Sequence, residues 1–248
     1  MLIAVPILTM RSMAEERHSR TDQLVLTAPV SLGKMIFGKF LAMVGVFTVA
    51  VAVIAVTPLV LAAFGTVPMG ENYVAVLGFW LYGCTCIAVG MLASALTESQ
   101  VIAAVVAFAF LFLGYMMNSI TGLIGDHLIT KVLGAYDLYT PLQSFMSGCL
   151  DLTGVVYFVS VTGLCLFLTC QCVQKRRWSM TTKKLTTGMF SVAMIVVGFA
   201  VAVAVNMVVK EMPSSWTAVD ATSTKLYSLT DTTCLLYTSP SPRDRTRS

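Results

Sequence analysis

Charge is what this chain has least of. Only 11% of its 248 residues are Asp, Glu, Lys or Arg, against about 25% in an ordinary soluble domain. So few cannot cover a soluble core of this length. Histidine is scarcer still, with His18 and His127 the two copies. Glu15, Glu16 and His18 do not stand in the H-E-x-x-H order of a zinc protease, and His127 reads as a solvated loop residue. Most of the cysteines sit in apolar runs, where cysteine behaves as a small hydrophobe. Cys84-x-Cys86 and Cys170-x-Cys172 lack partners at zinc-finger spacing. No nucleophile–base pair stands out. The chain is therefore expected to be no enzyme, and neither cofactor, metal nor nucleic acid is expected as a ligand.

One motif nearly contradicts this. Gly33-Lys34-Met35-Ile36-Phe37-Gly38-Lys39-Phe40 almost spells a phosphate-binding loop. Its last position should carry a Ser or Thr hydroxyl for magnesium, and a strand should precede it. Phe40 stands there instead, and an apolar run follows. Gly38-Lys39 is better read as the inner boundary of a membrane span.

Apolar runs make up the rest. The chain is 57% hydrophobic, with a mean hydropathy of +0.83. A helix crossing the hydrocarbon layer needs about 20 apolar residues. Five segments qualify: Phe40–Phe64, Tyr73–Leu96, Val101–Leu123, Leu152–Val173 and Met189–Val209. None holds an ionised side chain. In lipid the backbone must satisfy its own hydrogen bonds, which selects helices; the polar–apolar alternation of a membrane strand is absent. The fold class expected is all-α, a polytopic transmembrane helix bundle. Met1–Thr9 is a shorter apolar run followed by Arg11, the reverse of a signal peptide. It reads as the end of a sixth, truncated span, and the chain as a piece of a longer product.

Lys and Arg set the orientation. The island between Met10 and Lys39 carries Arg11, Arg17, Arg20, Lys34 and Lys39, and the Gln174–Gly188 loop carries Lys175, Arg176, Arg177, Lys183 and Lys184. The loop at Gly65–Asn72 has none, and Gly125–Asp151 has only Lys131. Alternating spans place both basic loops in the cytoplasm, and the tail after Val209 outside. In Gly125–Asp151, Ile129, Val132, Leu133 and Tyr136 recur at helical spacing, and Leu142, Phe145, Met146 and Cys149 resume after Pro141. Short amphipathic helices follow, either a packed lid or a substrate gate. Cys86, Gly90 and Ser94 form a small-residue stripe that admits a close neighbour, as do Gly198 and Ala202, and Pro58 should kink its span.

Carriers driven by ions or protons usually hold titratable groups inside the bilayer. These spans offer neutral ones such as Thr48, Thr85, Asn118 and Asn206. A transporter built this way would draw its energy from a soluble partner, and the island is the natural docking surface.

The island also resembles a known family. Ala14-Glu15-Glu16-Arg17, Thr21, Leu24, Leu26-Thr27, Pro29-Val30-Ser31 and Gly38-Lys39-Phe40 are similar to the stretch joining the second and third spans of type-2 ABC exporter permeases; Arg20 stands where a glycine is usual. Ser144-Phe145 to Asp151-Leu152, Val155-Val156-Tyr157-Phe158 and Lys175-Arg176-Arg177-Trp178 resemble the last spans of the gliding-motility group. The resemblance implies a permease domain over 1–179, a partner ABC ATPase subunit, a second permease copy and a bacterial plasma membrane. It also implies that the island forms an ATPase-coupling helix. Glu15, Glu16, Arg17 and Arg20 would pair with charges, Leu24 and Leu26 would anchor apolarly, and Pro29 would end the helix. Residues 180–233, with Lys183-Lys184, the last span and Trp216, Asp220, Thr222, Lys225, Tyr227-Ser228-Leu229-Thr230, resemble the start of a gliding-motility auxiliary protein. Residues 234–248 are rich in Ser, Pro and Arg. They read as disordered, and as translated sequencing adapter rather than a native basic tail. The alternative to a permease is a membrane scaffold that transports nothing.

Overall fold

In the computed structural model the described residues are 1–18, 31–65, 68–124, 137–179, 194, 197–208 and 218–220. The elements run α1 (Ala4–Thr9), α2 (Arg11–His18), α3 (Leu32–Ala62), α4 (Met69–Leu96), α5 (Gln100–Ile124), α6 (Tyr139–Met146), β1 (Cys149–Asp151), α7 (Leu152–Ser179), α8 (Val197–Val208) and β2 (Ala218–Asp220). Four of these helices, α3, α4, α5 and α7, are long and apolar enough to cross a membrane. The fold is an all-α polytopic bundle.

Two boundaries differ most from the sequence reading. α3 starts at Leu32 rather than Phe40, and α7 continues past Val173 through the basic triplet to Ser179. A helix does not stop where the hydrocarbon does. With 31 residues α3 is about 46 Å long, half as long again as a 30 Å core. Lys34, exposed, and Lys39, half-buried, lie on its first turns. The phosphate-loop look-alike Gly33–Phe40 is thus helical throughout. Pro58 lies inside α3, buried.

The fifth expected span, Met189–Val209, is described over Val197–Val208. That is about 18 Å of helix, short of a crossing; residues 189–193, 195 and 196 lie outside the described set. Its direction is clear. Phe167 of α7 lies beside Gly198, and Ser160, nearer the start of α7, hydrogen-bonds Asn206 at 3.0 Å. Rising numbers on α8 thus meet falling numbers on α7, and the pair is antiparallel. An apolar cleft of about 620 Å³ separates them, lined by Val159, Gly163, Val201 and Ala202 among others.

α4 is the axis of the bundle. It packs against α7, α5, α3, α6, α1 and α2. Cys86, Ile87, Ala88, Met91, Ala93 and Ala95 are wholly buried on it. By contrast α3 exposes Leu41, Val46, Val49, Val53 and Leu59, and α5 exposes Val101 and Val105. In water such surface would be a liability; in a bilayer it is the lipid-facing side. The neutral polar groups tie helices together. Trp80 Nε1 donates to Thr48 Oγ1 at 2.9 Å, joining α4 to α3, and Thr85 lies 3.1 Å from Thr162 and 3.3 Å from the Phe158 carbonyl, joining α4 to α7.

The end of the bundle away from the charged segment, the outer end in the orientation expected from Lys and Arg, is closed by α6 and the two strands. Asp137 accepts from the N–H groups of Tyr139 and Thr140, which the helix itself leaves unpaired. Phe145, fully buried, drives its ring between α4 and α7. The space exists because Gly78 and Gly154 lack a Cβ, which would run into that ring. This is the packed lid. Its other expected half, around Ile129 to Tyr136, lies outside the described residues. Gly148 then turns the chain with φ of 79°, a backbone conformation that glycine adopts without penalty. β1 pairs antiparallel with β2, Leu150 opposite Val219. Asp151 ends β1 and accepts from Thr153 N–H at 2.9 Å, capping α7. The sequence reading expected no strand here. Three-residue strands outside the bilayer leave no periodicity to detect.

Candidate coupling site

At the inner end, the charged segment begins on α2, which leaves α1 at Met10. Met13 and Ala14 of α2 are buried at 4% and 0% exposure, whereas Arg11 and Glu15 are exposed. Short apolar side chains thus seat the helix and charged ones face out. The seat is the small-residue stripe of α4. A Cβ at Gly90 would collide with Thr9, so glycine alone admits the α1 end there. One turn further on, the Ser94 hydroxyl meets the backbone of the elbow. It accepts from Met13 N–H at 3.1 Å and Ala14 N–H at 3.0 Å, and lies 3.2 Å from the Met10 carbonyl, to which it donates.

A second fastening comes from α3. The Lys39 ammonium donates to the Ser12 carbonyl at 3.1 Å and lies 3.8 Å from Met13 Sδ. The first turn of α2 is therefore held by two spans at once, α3 through Lys39 and α4 through Ser94. Neither role was legible in advance. Lys39 read as a span boundary and Ser94 as one member of a packing stripe, and only the fold brings them within reach of a segment some 80 residues from Ser94.

Of the residues expected to couple to an ATPase, Glu15 lies exposed on α2. Glu16 and Arg17 belong to the same helix, though their side chains are outside the described set. Arg20, Leu24, Leu26 and Pro29 are also outside the described residues. The structure thus brings Glu15, Glu16 and Arg17 onto one helix anchored in the bundle. Among the described residues no cluster of His, Cys, Asp and Glu is arranged to hold a metal ion.

Four apolar spans, one of them the buried axis α4, with a charged helix clasped at one end, define a multi-pass helical membrane protein. The family described as ABC-2 family transporter protein matches residues 1–203. The chain belongs to that family, and is a membrane permease subunit rather than a catalytic chain. The match runs through α7 and into α8. No curated protein and no solved structure matches the chain.

Proposed function

We propose that this permease subunit moves its substrate across a bacterial plasma membrane at the expense of ATP hydrolysed in a separate ABC ATPase chain, with the segment Arg11–Lys39 as the docking surface. One observation supports this above the others: α2 presents Glu15 outward while Ser94 and Lys39 tie its base to two spans. A force applied to α2 would reach α3 and α4 together. Glu15, Glu16, Arg17 and Arg20 would set register through ion pairs, each worth about 0–1 kcal/mol at an exposed rim. Leu24 and Leu26 would supply more of the affinity by apolar burial, and Pro29 would end the helix. A second permease copy completes the transporter in this reading. The finer grouping follows the sequence motifs: a gliding-motility type permease over 1–179, followed over 180–233 by the start of an auxiliary protein, with 234–248 foreign to both.

The test is co-purification from native membranes. Replacing Glu16 and Arg17 together by alanine should weaken retention of the ATPase several-fold. Replacing Leu24 and Leu26 should weaken it more, since each truncation removes about 2 kcal/mol of buried side chain. Retention unchanged in both variants rejects the docking surface.

A further inference from the structure

We propose that Ser94 is the positioning residue of a hinge between α1 and α2: its hydroxyl replaces a rung of a helix ladder, and its withdrawal straightens the two into one helix. That this movement would swing the ATPase-docking segment rests on the function proposed above; the hinge itself does not.

The geometry is specific. In an unbroken helix Met13 N–H would bond the Thr9 carbonyl, and Ala14 N–H the Met10 carbonyl. Here both N–H groups donate to Ser94 Oγ, and the Ser94 O–H donates to Met10 O. A hydroxyl from another helix therefore stands between Met10 O and Ala14 N. Insertion of a side chain into the ladder is one of the few recognised causes of a sharp break. The others are missing at this point. No glycine or proline occurs between Pro6 and Pro29, and Met10 keeps helical angles, φ −56° and ψ −35°. The local sequence does not demand the break; Ser94 imposes it.

The two arrangements satisfy the junction differently. Bent, the junction has three hydrogen bonds, all through Ser94. Straight, the N–H groups of Arg11, Ser12, Met13 and Ala14 would regain the carbonyls of Ile7, Leu8, Thr9 and Met10. The Ser94 hydroxyl would turn back to the Gly90 carbonyl four residues earlier, as helical serines do. Thr9 already makes such a back-bond, to Val5 O at 2.9 Å. The bent form also leaves Ser12 Oγ buried without a partner, and a straight helix would offer it the Leu8 carbonyl. The straight form would thus close four rungs and give Ser12 Oγ a partner, while the bent form is held by Ser94 and by the Lys39 bond to the Ser12 carbonyl, so the junction has two arrangements and Ser94 decides between them.

The full chain in lipid bilayers, carrying spin labels on non-cysteine handles at Ile3 and Glu15, reads the hinge directly. One straight helix separates these positions by about 18 Å along its axis; a bend at the broken rungs would hold them closer. Ser94→Ala should move the main population to the longer distance, while Met13 and Ala14 amides stay protected from exchange because the rungs close internally. Ser94→Thr keeps the hydroxyl and should keep the short distance. A Ser94→Ala distance equal to wild type overturns the hinge. So does loss of amide protection, which means the elbow has melted, or identical behaviour of the Ala and Thr variants, which means the site is packing alone. ATPase retention by unlabelled Ser94→Ala should fall several-fold. If Glu16 and Arg17 prove dispensable for that retention, the docking reading fails while the label distances still decide the hinge.

Discussion

The two ends of α4 are fastened by different physics. At the outer end a whole aromatic ring fills a slot cut by Gly78 and Gly154, and a strand pair and two aspartate caps close over it. At the inner end one hydroxyl and one ammonium hold the elbow through backbone hydrogen bonds. Packed volume is non-directional and is lost only by opening a cavity. A hydrogen bond can be traded for another of the same kind at little net cost. The outer end is therefore built as a clamp and the inner end as a joint.

The largest effect should come from breaking the clamp. Phe145→Ala removes the ring from between α4 and α7, and a cavity of that size costs about 3–5 kcal/mol. Thermal unfolding in detergent should show a loss of that order, with α6 becoming protease-sensitive first. A stability close to wild type would mean that the lid rests on the bundle without holding it.

A smaller effect is expected when the joint is overpacked. Gly90→Ala places a methyl group where Thr9 sits, and forcing an extra carbon into such a contact costs about 1–3 kcal/mol. The elbow should lift from α4 while the outer end keeps its protection from amide exchange. If both ends loosen together, the bundle behaves as one rigid body and the distinction between clamp and joint disappears.

What the sequence revealed follows from the same division. Four spans were legible because lipid imposes a composition rule on whole segments. Phe145 was legible as part of an amphipathic run, and Gly90 and Ser94 as a stripe that lets a neighbour approach. The identity of that neighbour was not, because the elbow is reached through contacts distant in the chain. The break at Met10 had no signal, since no glycine or proline marks it. Span ends were displaced by up to eight residues at α3 because a helix carries on through the headgroups with lysines on its flank.

The finest test concerns whether the clamp extends to the chain beyond α8. β2 lies directly beside β1, and β1 leads through Asp151 into α7. In an antiparallel pair the N–H groups of successive residues point alternately toward and away from the partner. Of Ala218→Pro and Val219→Pro, tested separately, one must therefore remove a ladder donor and the other spare it. The damaging variant should cost only about 1 kcal/mol, one hydrogen bond's worth, and should speed amide exchange at Cys149–Asp151 while Phe145 stays buried. Such a split would show that the strands tie the segment after α8 to a lid already held in place by Phe145. If instead the damaging variant also exposes α6, the strands help to hold the ring in its slot, and the clamp reaches from Gly78 to Asp220.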